Sequence, residues 1–313
     1  MGEFKHVVKN ILKNFLLRIP FAKTKIKHYQ ITHSSSWEPG HYYSPVPNIF
    51  EIEGNADRIF TEKNLSEIDL NTENQITLLE EFKTFYPDYP YLFESVDSHL
   101  FRYKKDDAYY RFSDSVFLYC MMRKFKPKNI IEIGSGHSSS IMLDINEHFF
   151  DNTIYHTFIE PYPEERLMSI LKKSDNITNK IIKDKVQYVN PEIFQKLDKN
   201  DILFIDSTHI SKVGSDVNYL IFEVIPLLKP GVLIHFHDIF YPFELPKHWI
   251  LTKRWFWNEN YLLHAFLMNN SKYEIVAFNT YLQKIRAEWF KNEMPECLIG
   301  GEDTGSIWIR KLA

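Results

Sequence analysis

The chain has 313 residues, room for one large α/β domain and an extension, and its 44 % apolar and 25 % charged residues are those of an ordinary globular protein. A formal net charge of −4 argues against a nucleic-acid binder that works by overall charge. Two widely spaced cysteines, Cys120 and Cys297, exclude a disulfide framework or a cysteine-based zinc motif and suit a reducing cytoplasm, and no apolar run approaches the roughly 20 residues that span a bilayer.

Residues 6–19 set Val7, Val8, Ile11, Leu12, Phe15, Leu16 and Ile19 at helical spacing, with Lys9, Lys13 and Arg18 between them, and Pro20 ends the pattern. Residues 1–30 form a basic segment, in which Lys5, Lys23, Lys25 and Lys27 add to this charge against the single acid Glu3. Such a helix either packs on the protein or lies against an anionic membrane surface. Residues 31–112 are read as an extension that caps the substrate. Its stretch HSSSWEPGHYYSPVPNIF, with Pro39, Gly40, Pro45 and Pro47, predicts an ordered irregular loop. Residues 61–86 read as a helix with a stripe of Leu78, Leu79, Phe82 and Phe85, and residues 113–125 as another, capped by Ser113 or Asp114.

From residue 113 the pattern is that of a doubly wound α/β domain reaching residue 313. Short apolar runs at Ile130–Ile133, Tyr155–Ile159, Val186–Val189, Ile202–Ile205, Val232–Phe236, Tyr273–Phe278 and Ser306–Ile309 alternate with helical stretches. Continuous apolar runs predict strands buried on both faces, as in a parallel sheet covered by helices. Ligands in such a sheet bind beyond the carboxyl ends of the strands, and chemistry-bearing residues follow those runs.

The first run leads into IIEIGSGHSSS, where Gly134 and Gly136 allow a tight turn and Ser138, Ser139 and Ser140 can cap the next helix. Ser139 stands where a dinucleotide fingerprint has its third glycine. The second run ends in Glu160, whose carboxylate suits two ribose hydroxyls. The fourth ends in FIDSTH, with Asp206 and His209. The fifth ends in HFHDIF, with His235 and His237 on one strand face and Asp238 after them. Acids and imidazoles at adjacent strand ends suit a general base, a divalent metal site, or both.

EIGSG at 132–136, Glu160, FID at 204–206, and LLKPG at 227–231 followed by a strand and Asp238 resemble the class I S-adenosylmethionine-dependent methyltransferases. The nearest group is that of sugar and small-molecule methyltransferases related to macrocin O-methyltransferase and the cephalosporin-hydroxylase-like proteins. The resemblance covers about residues 115–313. It implies a Rossmann-like seven-stranded sheet whose last strand is antiparallel. It also implies that Glu132, Gly134, Ser135, Gly136 and Ser138 surround the methionine part of S-adenosylmethionine, that Glu160 holds the ribose with Pro161 and Tyr162 beside the adenine, and that Asp206 lies near the cofactor's amino group. By the same resemblance, Asp206, His237 and Asp238 match the positions that hold magnesium in metal-dependent relatives, with His237 where an acid is usual, a set that also tolerates manganese. Ser138 replaces the usual third glycine. The catalytic group is then His237, His209 and Asp206, with His237 or His209 as the base. The expected reaction is O-methylation of a sugar hydroxyl on a surface glycan or its nucleotide- or lipid-linked precursor, in the cytoplasm or at the inner membrane surface. Methylation of a natural product and a non-catalytic protein retaining the fold are the alternatives.

Overall fold

The structure is a computed structural model that describes residues 24–25, 36–92, 100–104 and 109–313. The basic helix expected at residues 6–19 lies outside the described residues. The described residues form two compact units, one comprising those up to Ile59 with Leu251–Phe256, the other those of Phe60–Ile250 with Trp257–Ala313. Residues 60–92, read from sequence with the extension, therefore belong to the same compact unit as the sheet.

In the first unit the described part of the proline-rich stretch, from residue 36, has no helix before Ile49–Gly54, which is capped by the Asn48 side chain accepting from the N–H groups of Phe50 and Glu51. Ahead of it, Trp37 stacks on His41 at 4.5 Å and His41 on Tyr42 at 4.2 Å, with Tyr43 packed against them.

In the second unit, helix α1 (Thr72–Phe85) starts eleven residues later than the apolar pattern predicts. The cause is local. Asn64 and Asp69 accept from the backbone N–H groups two residues on, at Ser66 and Asn71, and these turns compete with a helix. Helix α2 (Ser113–Phe125) has the predicted span, but Phe112 occupies the cap position. Ser113 and Asp114 lie inside its first turn and face the interior, so neither is the cap.

Seven strands follow: β1 (Asn129–Ile133), β2 (Tyr155–Ile159), β3 (Asn179–Ile182), β4 (Ile202–Ile205), β5 (Leu233–His237), β6 (Tyr273–Phe278) and β7 (Ser306–Lys311). They order as β3-β2-β1-β4-β5-β7-β6, with β7 antiparallel to both neighbours. This is the expected Rossmann-like sheet. The third strand is a correction: Val186–Tyr188 is a 3₁₀ turn, and β3 lies upstream. Val186 and Val189 are buried three residues apart, a spacing that suits a 3₁₀ turn. As an edge strand only partly buried, β3 needs no continuous apolar run.

Alternation along the strands divides the core into two layers. Ile130, Ile202 and Phe204 pack with α1, α2 and helix α3 (His137–Phe149) on one face, while Ile131, Ile133, Leu203 and Ile205 pack on the other. Each such side chain contributes roughly 1.5–3 kcal/mol by leaving water. The buried Arg102 guanidinium bridges Asp144 at 2.9 Å and Glu147 at 2.6 Å on α3 and Asp175 at 2.8 Å in the 3₁₀ turn Lys173–Ile177, tying the segment before α2 to the helix after β1 and to the connection before β3.

The turn leaving β1 is the tightest point. Gly134 has φ +75°, and a Cβ there would lie 2.1 Å from the Asp206 carbonyl oxygen. Its N–H donates to Ile159 of β2, and the Asp206 N–H donates back to Ile133, so three strand ends are stitched together. Gly134→Ala is expected to lower unfolding stability by about 2–4 kcal/mol. Chemical denaturation checks this, and a loss below about 0.5 kcal/mol would show that the turn is free to move.

Candidate active site

Strands β1, β2, β4 and β5 are parallel, so the residues following them share one edge of the sheet. Glu132, fully buried in β1, accepts hydrogen bonds from the Ser138 hydroxyl at 2.5 Å and the Ser139 hydroxyl at 2.6 Å. Burial pushes its carboxyl up to about 8, although both hydroxyls favour the charged form. Ser138 and Ser139 thus spend their hydroxyls on Glu132. Ser139 also accepts from the N–H of Gly136, the residue at the cap position of α3.

Glu160 follows β2. One oxygen accepts from the Ser135 N–H at 3.2 Å and the other from the Tyr162 N–H at 2.8 Å, so the carboxylate joins the β1 turn to the β2 loop and each oxygen retains a lone pair. The Ser135 hydroxyl beside it is buried without a partner. Pro161 follows directly, and the Tyr162 ring is 60 % exposed. The two glycines of the turn face different neighbours: Gly134 abuts Asp206, and Gly136 abuts the Arg166 side chain. Arg166 belongs to the wall of a cavity of about 460 Å³, together with Lys104, His137, Ser140 and Lys172.

The ends of β4 and β5 bring Asp206, His209, His237 and Asp238 together. His237 Nδ1 lies 3.3 Å from Asp206 Oδ1, and its Nε2 lies 3.6 Å from Asp238. His209 Nε2 is 3.5 Å from both Asp206 and Asp238. Two further carboxylates complete the shell. Glu259 holds His209 Nδ1 at 2.8 Å, and Asp114 lies 3.7 Å from His237 Nε2 with that oxygen, Oδ2, otherwise unpartnered and buried. Asp114 was read as a helix cap and Glu259 was not singled out. No local pattern marks either, because each reaches the site from a helix distant in sequence.

Charge balance governs this cluster. Burial opposes protonation of His209, but Asp206, Glu259 and Asp238 outweigh it and lift the imidazole to about 10. Burial likewise opposes protonation of His237, and Asp238, Asp206 and Asp114 outweigh it. Burial opposes ionisation of Asp206, yet the two imidazoles hold its carboxyl well below the usual range. For Asp238 burial prevails, and its carboxyl rises to about 6. Asp206, His209 and His237 offer donor atoms within 4.8 Å of one another, a nitrogen and oxygen set compatible with a divalent ion. In this set His209 joins Asp206 and His237, where the sequence reading had Asp238. His235, on the same strand face as His237, is packed against Phe204 and Trp308 at 4.0 and 4.5 Å, and burial depresses its basicity.

Residues 131–239 match the family model described as a methyltransferase domain. A protein of Archaeoglobus fulgidus described as uncharacterized is 34 % identical over 170 residues, covering 52 % of this chain and 75 % of that one. Among solved structures, the SAH-bound Podospora anserina methyltransferase PaMTH1 is 14 % identical at a TM-score of 0.42, covering 89 % of this chain and 100 % of that one. The Streptomyces achromogenes O-methyltransferase TomG, involved in tomaymycin synthesis and solved with SAM, is 11 % identical at a TM-score of 0.40, covering 84 % and 96 %.

The raised Glu132 carboxyl makes a signed prediction. A group favoured in its protonated form by folding contributes its stability below its unfolded value near 4.5 and loses it as pH rises through about 8. Glu132→Gln mimics the protonated form, so its melting temperature relative to wild type is expected to rise by roughly 3–8 °C between pH 5 and pH 8.5. A pH-independent difference between the two melting curves would refute the assignment.

Proposed function

We propose that the chain is a class I S-adenosylmethionine-dependent methyltransferase, a reading supported by the match of residues 131–239 to the methyltransferase-domain family model, and that it O-methylates a sugar hydroxyl of a surface glycan or of its nucleotide- or lipid-linked precursor. The observation that carries this reading is the cluster of imidazoles and carboxylates after β4 and β5, next to the glycine turn after β1.

S-adenosylmethionine, when bound, supplies a methyl group already activated on sulfur. The residues at the turn fit that cofactor: Glu160 has lone pairs left for two ribose hydroxyls, the buried Ser135 hydroxyl lacks a partner, and the exposed Tyr162 ring offers a face to a flat base. The chain's own task is to orient the acceptor hydroxyl and take its proton. His237 and Asp206 form the centre of that machinery. The surrounding acids favour the protonated form of both imidazoles, and Asp238, lifted to about 6, is the member poised to exchange a proton close to neutrality. A magnesium or manganese ion would be held by Asp206, His209 and His237, where it would raise the acidity of a coordinated hydroxyl.

The sugar reading is supported by the stacked Trp37, His41, Tyr42 and Tyr43, since flat rings of this kind pack on pyranose faces. The acidic groups of the cluster disfavour a polyanionic acceptor held against it. A lipid-linked acceptor would bring the chain to a membrane surface, for which residues 6–19 are the proposed contact. Among the described residues no helix is long and apolar enough to cross a membrane.

Calorimetry is expected to show binding of S-adenosylhomocysteine and none of NAD. In His237→Ala, methyl transfer from labelled cofactor into a cell-envelope extract is expected to fall about 10²–10⁴-fold while S-adenosylhomocysteine affinity is kept. Full activity in that variant rules out His237. Wild-type binding without any transfer favours a non-catalytic protein. Dialysis against EDTA is expected to abolish transfer and Mn²⁺ to restore it, whereas transfer that survives chelation removes the metal from the mechanism.

A further inference from the structure

His209 and Asp238 carry the cluster's most constrained backbone. Both have left-handed conformations, with φ of +58° and +56°, which cost a non-glycine residue roughly 1–2 kcal/mol each. They stand on loops leaving two different strands. Both loops are gripped by three consecutive residues at the start of helix α4 (Glu259–Leu267).

Each of the three holds one site. The N–H groups of Asn258 and Glu259 both donate to the His209 carbonyl, at 3.0 and 3.2 Å. The Asn258 amide pairs with both backbone groups of Ser211, accepting from its N–H at 2.6 Å and donating to its carbonyl at 3.2 Å. The Glu259 carboxylate receives His209 Nδ1 at 2.8 Å and the Ser207 hydroxyl at 3.2 Å. The Asn260 amide donates to the Asp238 carbonyl at 2.9 Å and accepts from the Phe240 N–H at 3.0 Å. Glu259 and Asn260 are both 1 % exposed.

An asparagine at a helix start ordinarily caps its own helix. Asn258 occupies that position and makes no side-chain cap bond. The polar atoms of this tripeptide are spent on the two loops instead. Burying a carboxylate and an amide is costly unless every bond is made, so their placement serves the loops they hold.

We propose that Asn258, Glu259 and Asn260 form a positioning clamp that fixes His209 and Asp238 relative to each other across the two strand ends. Glu259 claims Nδ1 of His209, which leaves Nε2 facing Asp206 and Asp238. Asn260 fixes the backbone that carries the Asp238 carboxylate between the two imidazoles. The clamp acts through these residues and touches no substrate. It rests on the reading that this cluster is the reaction centre.

The test uses the full chain labelled with ¹⁵N-histidine, with Glu259→Gln, Glu259→Ala and Asn260→Ala, followed by NMR of the imidazole protons, melting curves, and calorimetry with S-adenosylhomocysteine. In wild type the His209 Nδ1 proton is expected to be protected from water exchange. Glu259→Gln, which keeps an acceptor oxygen, is expected to speed that exchange about tenfold, and Glu259→Ala further. Asn260→Ala is expected to shift the ring resonances of both His209 and His237. S-adenosylhomocysteine affinity is expected to stay within about twofold in each, because no clamp side chain bonds the β1 turn or Glu160. Ring resonances and exchange identical to wild type in Glu259→Gln and Asn260→Ala overturn the clamp. Should Glu259→Ala fail to fold, the other two variants decide. Wild type that binds no S-adenosylhomocysteine overturns the methyltransferase reading instead, and the imidazole signals still judge the clamp.

Discussion

The close approach of the β1 turn to the end of β4 is the constraint on which the site depends. A side chain at position 134 has no room, because the Asp206 carbonyl already fills the space where a Cβ would stand. Only a left-handed glycine lets the chain leave β1, pass over β4 and enter α3 at once. That single crossing sets the separation between the β1 turn and the cluster after β4 and β5. Glu160, bonded to the Ser135 N–H, fixes the same turn from the other side.

Around this point the fold buries more charge than a core ordinarily tolerates. Four carboxylates and two imidazoles lie within a few ångströms after β4 and β5. Each would be expensive alone, and the group is held because the signs alternate in space. The same balance sets the chemistry: the Asp206 carboxyl, held below its usual range, stays charged, while Asp238, which burial lifts, rises to about 6. Glu132 is the exception among the acids. It has hydroxyls as partners and no cation, and its carboxyl rises accordingly.

Much of this was legible in the residues. Strands buried on both faces announce themselves as continuous apolar runs, and β2, β4 and β6 have the spans read from sequence. The edge strand β3 did not, since Asn179 and Lys180 make half of it polar and the apolar run lay downstream in a 3₁₀ turn. The strand-end residues Glu132, Glu160, Asp206, His237 and Asp238 were findable because topology puts whatever follows a parallel strand at the same edge. Asp114 and Glu259 were not, because they arrive from helices. An acid at a helix start reads as a cap or a dipole partner until the third dimension shows where it points. Residues 61–71 misled for a related reason: apolar spacing suggested helix, while Asn64 and Asp69 had local backbone partners.

The antiparallel insertion of β7 has a consequence for biosynthesis. β5 and β6 are not neighbours; β7 separates them. While the chain emerges from the ribosome, the first five strands are available long before residues 306–311 are made. Until then the β5 edge, whose residues 233–237 are buried in the finished protein, presents unpaired N–H and carbonyl groups beside an apolar face. β6 meanwhile has no strand to pair with. The nascent protein therefore passes through a stage in which the open side of β5 is its stickiest edge, and completion of the sheet waits on a pairing about 70 residues apart in sequence.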